Sequence, residues 1–252
     1  MRRLSKLALC VFWMGMSVPM WAQLHDSSIK LKLGYLDQYM YRGRLLHDDA
    51  VYQGQFTLGI SRWSYDAIYN EAADPAIDGF ERETTHNISF TSIVNNNTVS
   101  TIGYQYSDFQ GGMSDSQEFF VRFARSGGWN PSYGIAFDID AFRGYYGDFA
   151  LNRLMPISRR TVLSGTLKTA LAFDMEPEIE EESGEVVEEG LFGKDGFVHS
   201  YFQLNVTYTF SRWFKLDFGG RYHFAHDDTL FEDRLGEEDE IVGYANVTIS
   251  LQ

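Results

Sequence analysis

From residue 28 to the C-terminus the chain alternates apolar and polar side chains with period two. It does so in segments joined by connections that are alternately long and short. Phe202, Leu204, Val206 and Tyr208 interleave with Tyr201, Gln203, Asn205 and Thr207. Leu216 and Phe218 interleave with Lys215 and Asp217, and Ala245, Val247 and Ile249 with Tyr244, Asn246 and Thr248. A residue on a strand faces opposite to its neighbours, so each segment has one apolar and one polar face. No segment sustains a helical period. The pattern predicts twelve strands, over 28–42, 51–60, 63–70, 84–94, 98–107, 117–126, 132–141, 149–157, 161–173, 198–210, 213–225 and 240–251. The eighth contains Pro156, which lacks a ladder donor.

Tight connections fall at 61–62, 95–97, 127–131, 158–160 and 211–212, and include Asn95-Asn96-Asn97 and a repeated Ser-Arg-Trp. Asn tolerates the left-handed backbone of tight hairpins. Between them lie the longer connections 43–50, 71–83, 108–116, 142–148, 174–197 and 226–239. An up-and-down meander with tight turns at one end and long loops at the other is the pattern of an outer-membrane barrel, whose closure leaves no unpaired strand edge in lipid. The expected fold is therefore all-β, an up-and-down antiparallel transmembrane β-barrel of about twelve strands over residues 23–252, placed in the cell outer membrane. The alternative is a soluble secreted β-sandwich or lipocalin-like barrel, in which the apolar faces point inward. Aromatic residues near strand ends, among them Tyr52, Trp63, Tyr69, Tyr104 and Trp213, suit interfacial girdles and favour the membrane. The C-terminus, Ile249-Ser250-Leu251-Gln252, lacks the aromatic end usual in such barrels.

Residues 1–22 read as a secretory signal: Arg2, Arg3 and Lys6, then an apolar run from Leu7 to Met16, then the small Ala22. The single cysteine, Cys10, lies inside it, so the exported chain holds together without disulfides. The net charge of −14 leaves no basic footprint for nucleic acid.

The stretch Leu33-Gly-Tyr-Leu-Asp-Gln-Tyr-Met-Tyr-Arg-Gly43, followed by Val51-Tyr-Gln-Gly-Gln-Phe-Thr-Leu-Gly59 and Trp63, resembles the opening of the TorF-like porin family. Those proteins begin with an aromatic-rich strand ending in Tyr-x-x-Arg-Gly, then a loop, a Gln-bearing strand and a Trp-bearing one. Tyr39, Arg42, Gly43 and Gln53 match. The resemblance covers about thirty residues and implies an outer-membrane barrel acting as a passive channel.

With polar faces inward, the lumen holds Lys30, Lys32, Arg42, Arg122, Lys168, Lys215 and Arg221 against Asp66, Glu118, Asp138, Asp140 and Asp217, with Gln53, Gln55, Asn87, Gln105, Gln203 and Asn205 between them. The candidate pore-lining set is Arg42, Gln53, Arg122, Asp138, Asp140, Lys168, Gln203, Lys215, Asp217 and Arg221. Rings of such side chains set selectivity, and pairing across the interior would instead narrow or close it. Most of the net charge sits in two loops. Residues 174–197 carry ten acids and one Lys, and residues 226–240 carry eight acids and one Arg. The composition of 174–197 predicts a loop without a single conformation. Both loops are expected to be mobile and to hold divalent cations loosely, shared with lipopolysaccharide, through oxygen ligands.

The function expected is a small, weakly selective diffusion channel for small polar solutes, without a cofactor and without catalysis. Its alternatives are a non-conducting barrel that binds a partner through its acidic loops, and a lipid hydrolase. The hydrolase would need a Ser and a His from different strands to meet on the lipid-facing surface. His199 and Ser200 are adjacent on one strand and point to opposite faces, and no Gly-x-Ser-x-Gly occurs.

Overall fold

The computed structural model describes residues 27–75, 79–111, 113–175, 178–179, 186–188, 190–226 and 240–251. The expected signal therefore lies outside the described residues, as do residues 176–177, 180–185 and 189 of the first acidic loop and 227–239 of the second. Twelve strands close into one antiparallel barrel: β1 (Ser27–Leu36), β4 (Val51–Ile60), β5 (Trp63–Ala72), β6 (Arg82–Asn95), β7 (Thr98–Gln110), β8 (Ser116–Arg125), β9 (Ser132–Asp138), β10 (Tyr145–Pro156), β11 (Thr161–Phe173), β14 (Gly196–Thr209), β15 (Phe214–Ala225) and β16 (Glu240–Leu251). Each pairs with its chain neighbour, and β1 pairs with β16 to close the sheet, with Leu31 opposite Ile249. All tight turns lie at one end with both ends of the barrel segment. All longer connections lie at the other, which by the topology of such barrels is the extracellular side.

Side-chain direction separates the two architectures that alternation leaves open. Phe202, Leu204, Phe218, Ile88, Ile102 and Leu33 face outward and are exposed, Leu204 at 45%. Their pleat partners Gln203, Asn205, Lys215 and Asp217 face the interior. An apolar exterior around a polar interior is stable only in lipid, because in water it would leave a belt of hydrocarbon unburied. Trp63, Trp129 and Trp213 stand exposed at the tight-turn end, and Tyr35, Tyr52 and Tyr145 near the other. These are the two interfacial girdles.

Three departures from the expected strands matter. The first strand stops at Leu36 rather than 42, because Asp37 pairs sideways: its N–H donates to the Gly243 carbonyl at 3.2 Å, and its Oδ1 accepts from the Gly243 N–H at 2.7 Å. Residues beyond it leave the wall as a separate hairpin, β2 (Tyr39–Tyr41) and β3 (Arg44–His47). The seventh barrel strand ends at Asp138 rather than 141, and the eighth begins at Tyr145 and tolerates Pro156 as its last residue.

Candidate functional site

The β2–β3 hairpin folds into the barrel from the extracellular end. Arg42 and Gly43 form its two-residue turn, with φ of 52° and 86°. That is the type I′ geometry that favours glycine and matches strand twist. Its tip crosses to the far wall. Arg42 is ion-paired with Glu118 of β8 and lies 4.3 Å over the Tyr146 ring of β10. Gly43 sits so close to β14 that a Cβ there would meet His199 at 2.6 Å. On the near side Tyr39 donates to Glu83 of β6, and Asn70 donates to the same carboxylate at 2.9 Å. Burial pushes the Tyr39 and Tyr41 phenols up, and the Glu83 carboxylate adds to it at Tyr39. Both phenols therefore stay protonated, and Tyr39 remains a donor.

Two apolar clusters pack around this hairpin. Tyr39, Leu46, Val51, Ala72, Phe80 and Phe109 form one. Phe142, Tyr146, Ala170, Ala172, Met175, Leu191, Phe192 and Val198 form the other. The described ends of the 174–197 loop are thus packed: Leu191 and Phe192 donate to the Met175 carbonyl, and Arg44 donates to the Leu191 carbonyl. This corrects the expectation of a loop without a fixed conformation at its two ends. Further in, β12 (Glu178–Ile179) and β13 (Val186–Glu188) pair as a short antiparallel hairpin, so this part of the loop also departs from that expectation. Glu180, Glu181 and Glu182, between the two strands, lie outside the described residues. Every barrel strand but β1 contributes a buried inward side chain at this level: Val51, Asn70, Glu83, Ser107, Glu118, Asp138, Tyr146, Ala170, His199, His223 and Val242. The extracellular half of the lumen is therefore filled.

Alongside the hairpin and below it the interior holds two hollows of about 270 and 350 Å³, which share Met40, Tyr41, Gln105 and Arg221 as walls. Most hydrogen bonds here run between neighbouring or next-neighbouring strands. Thr57 donates to Asp66 at 2.6 Å, Asn152 to Thr166 at 2.7 Å, and Gln203 to Tyr244 at 2.7 Å. Such bonds line the wall. Charge is uneven. Lys168 and Arg122 share one oxygen of Asp148, at 3.3 and 3.5 Å. Arg221 stacks on Tyr201 at 4.7 Å, and its Nε donates to Gln203. With Lys30, Lys32 and Lys215, six cations face the lower lumen against Asp66, Asp148 and Asp217.

Of the candidate pore-lining residues, Gln53, Arg122, Lys168, Gln203, Lys215, Asp217 and Arg221 lie on the inner wall. Gln53 donates to Asn70 at 2.9 Å, and Asp217 accepts from Thr207. Arg42 is not a wall residue but the tip of the inserted hairpin. Asp138 is buried behind it, accepting from Ser116 at 2.6 Å and from the Asp140 and Phe142 amides. Asp140 points away from the lumen, because the strand has ended, and accepts from the outward-facing Gln117 at 2.6 Å. The expected set omitted Asp148, Tyr146, Tyr201, His199 and His223. Asp148 and Tyr146 stand on one inward register, two residues apart, and parity alone would have found them.

A Ser–His contact does form outside the barrel. Ser200 of β14 lies 3.1 Å from His226 Nε2, just past β15. The hydroxyl also donates to Thr169 at 3.0 Å. Both neighbouring ladders continue through Ser200, opposite Thr169 and Phe224. Backbone N–H groups held in a ladder are not free to stabilise an oxyanion, so the pair lacks that part of a hydrolase.

No protein-family model matches the chain, and neither does any curated protein. Solved structures do. The NanC porin superposes with a TM-score of 0.56 at 8% identity, over 88% of this chain and 100% of that one. The KdgM porin gives 0.52 at 9% identity, over 89% and 99%. A second KdgM structure, in complex with disordered oligogalacturonate, gives 0.51 at 8% identity, over 89% and 99%. At these identities the likeness is one of fold: the chain has the fold of twelve-stranded outer-membrane porins.

Proposed function

We propose that the barrel is a small passive diffusion channel of the outer membrane for small polar solutes, and that it favours anions. The observation that carries this is the lower lumen, a polar hollow whose exposed cations outnumber its carboxylates. Arg122 is 55% exposed there and holds Asp148 only at 3.5 Å. Charged rings in a narrow, low-dielectric passage raise the local concentration of counter-ions. The inserted hairpin fills the extracellular half, so passage requires it to withdraw, and the channel conducts intermittently. The resemblance of residues 33–63 to the TorF-like porins supports the same reading, and its Tyr-x-x-Arg-Gly end is the hairpin tip.

Currents across planar bilayers under a KCl gradient test this. Brief discrete steps with an anion-side reversal potential are expected, moving toward the cation side in Arg122→Gln/Lys168→Gln/Arg221→Gln. Steps with a cation-side potential would keep the channel and overturn its charge preference. The second reading, a non-conducting interaction barrel, is favoured by the filled extracellular half. It wins if neither the native protein nor a variant with 38–47 replaced by Gly and Ser conducts while both barrels are folded.

A further inference from the structure

The tight-turn end carries a feature that conduction does not use. Its turns and outward-facing strand ends hold six charged residues among those described: Arg62, Arg125, Arg153, Arg159, Arg160 and Arg212. All are arginine, all are exposed, and no acid stands among them. The described tryptophans, Trp63, Trp129 and Trp213, lie at the same level. Two of the arginines are held against them: Arg153 at 5.0 Å from the Trp129 ring centre and Arg212 at 4.2 Å from Trp213. The distribution around the rim is uneven. The β6–β7 turn, Asn95-Asn96-Asn97, is uncharged, whereas the arc from β8 to β11 holds Arg125, Arg153, Arg159 and Arg160 around Trp129.

We propose that this arc is a binding surface for the headgroup of an anionic glycerophospholipid in the leaflet facing the periplasm. Trp rings settle at the headgroup level of a bilayer, so Trp129 fixes the depth of the arc. A guanidinium at that depth meets phosphodiester oxygens, and its planar fork matches them where a lysine ammonium would act only as a point charge. Stacking on Trp129 holds Arg153 at the interface while leaving its N–H edge free for the phosphate. Zwitterionic lipid also offers a phosphate, but its ammonium meets the neighbouring arginines. Four cations and no acid therefore select for net negative headgroups.

Tryptophan fluorescence reads this end directly. The protein is refolded into phosphatidylcholine vesicles containing equal mole fractions of brominated phosphatidylglycerol or brominated phosphatidylcholine. Phosphatidylglycerol should associate about threefold or more in preference. The preference should vanish in Arg125→Gln/Arg153→Gln/Arg159→Gln/Arg160→Gln and persist in Arg62→Gln/Arg212→Gln. In the native protein it should also fall as NaCl is raised from 0.05 to 1 M, where the Debye length shrinks to about 3 Å. That arm stands even if the fourfold variant does not fold. Equal quenching by the two lipids in the native protein overturns the proposal, as does a preference that survives the fourfold substitution or high salt.

Discussion

Replacing Arg42 by Met should open the barrel. The Glu118 carboxylate is 3% exposed, and its salt-bridge partner is Arg42. Removing one member of a buried ion pair strands the other, at a cost of about 3–5 kcal/mol. Lost stacking of the guanidinium on Tyr146 adds about 0.5–2 kcal/mol, partly recovered by Met packing on the same ring. Glu118 regains water only if the hairpin tip leaves the wall. The ratio of withdrawn to inserted hairpin should thus rise by roughly a hundredfold to several thousandfold, since 1.4 kcal/mol is about tenfold. Single-channel recording reads this as open fraction, and heat-modifiable electrophoretic mobility verifies that the barrel is folded. The double variant Arg42→Met/Glu118→Leu removes both charges and keeps the volume, so its open fraction should return close to that of the native protein. An Arg42→Met open fraction within about twofold of native, with the barrel folded, refutes the reasoning. So does a double variant that gates like the single one, since stranded charge would then not be the cause.

Other outcomes follow from the same geometry. Leu204→Arg places a charge on the outward face near mid-membrane and should destabilise the barrel by about 2–4 kcal/mol in denaturant titrations in vesicles; a loss under 0.5 kcal/mol would put Leu204 outside the hydrocarbon. Gly43→Val combines a positive φ with a clash against His199 and should raise the open fraction in the same recordings without lowering the barrel's unfolding midpoint. For the acidic loop, cleavage within 176–190 by limited proteolysis should leave the barrel intact and slow when millimolar Ca²⁺ is added, and Glu180→Gln/Glu181→Gln/Glu182→Gln should remove the Ca²⁺ effect. Protection without Ca²⁺ would mean that the middle of the loop is packed like its two ends.

What sequence alone decides here is whatever depends on local parity. Period two assigned Leu204 and Phe218 to one face and Gln203 and Asp217 to the other. The alternation of loop lengths placed the arginine-bearing turns together at one end. A strand offers only two sides and a meander only two ends, so these assignments need no tertiary information. Whether the apolar face looked out or in was a tertiary matter, decided by closure of β1 on β16 around a polar interior. The hairpin was hidden for a different reason. Tyr39 and Tyr41 continue the parity of Leu33 and Tyr35, so the local pattern is that of an unbroken strand. The break comes from Asp37 bonding to Gly243, 206 residues away. Gly43 permits the positive φ that the two-residue turn needs, yet nothing near it says that a turn forms there or that it points into a barrel. Its anchors Glu118 and Tyr146 lie on strands far along the chain, and its destination exists only once those strands have closed into a wall. Asp140 shows the converse. Its parity pointed inward, but the strand ends two residues earlier at Asp138, and past a strand's last ladder bond parity no longer dictates direction.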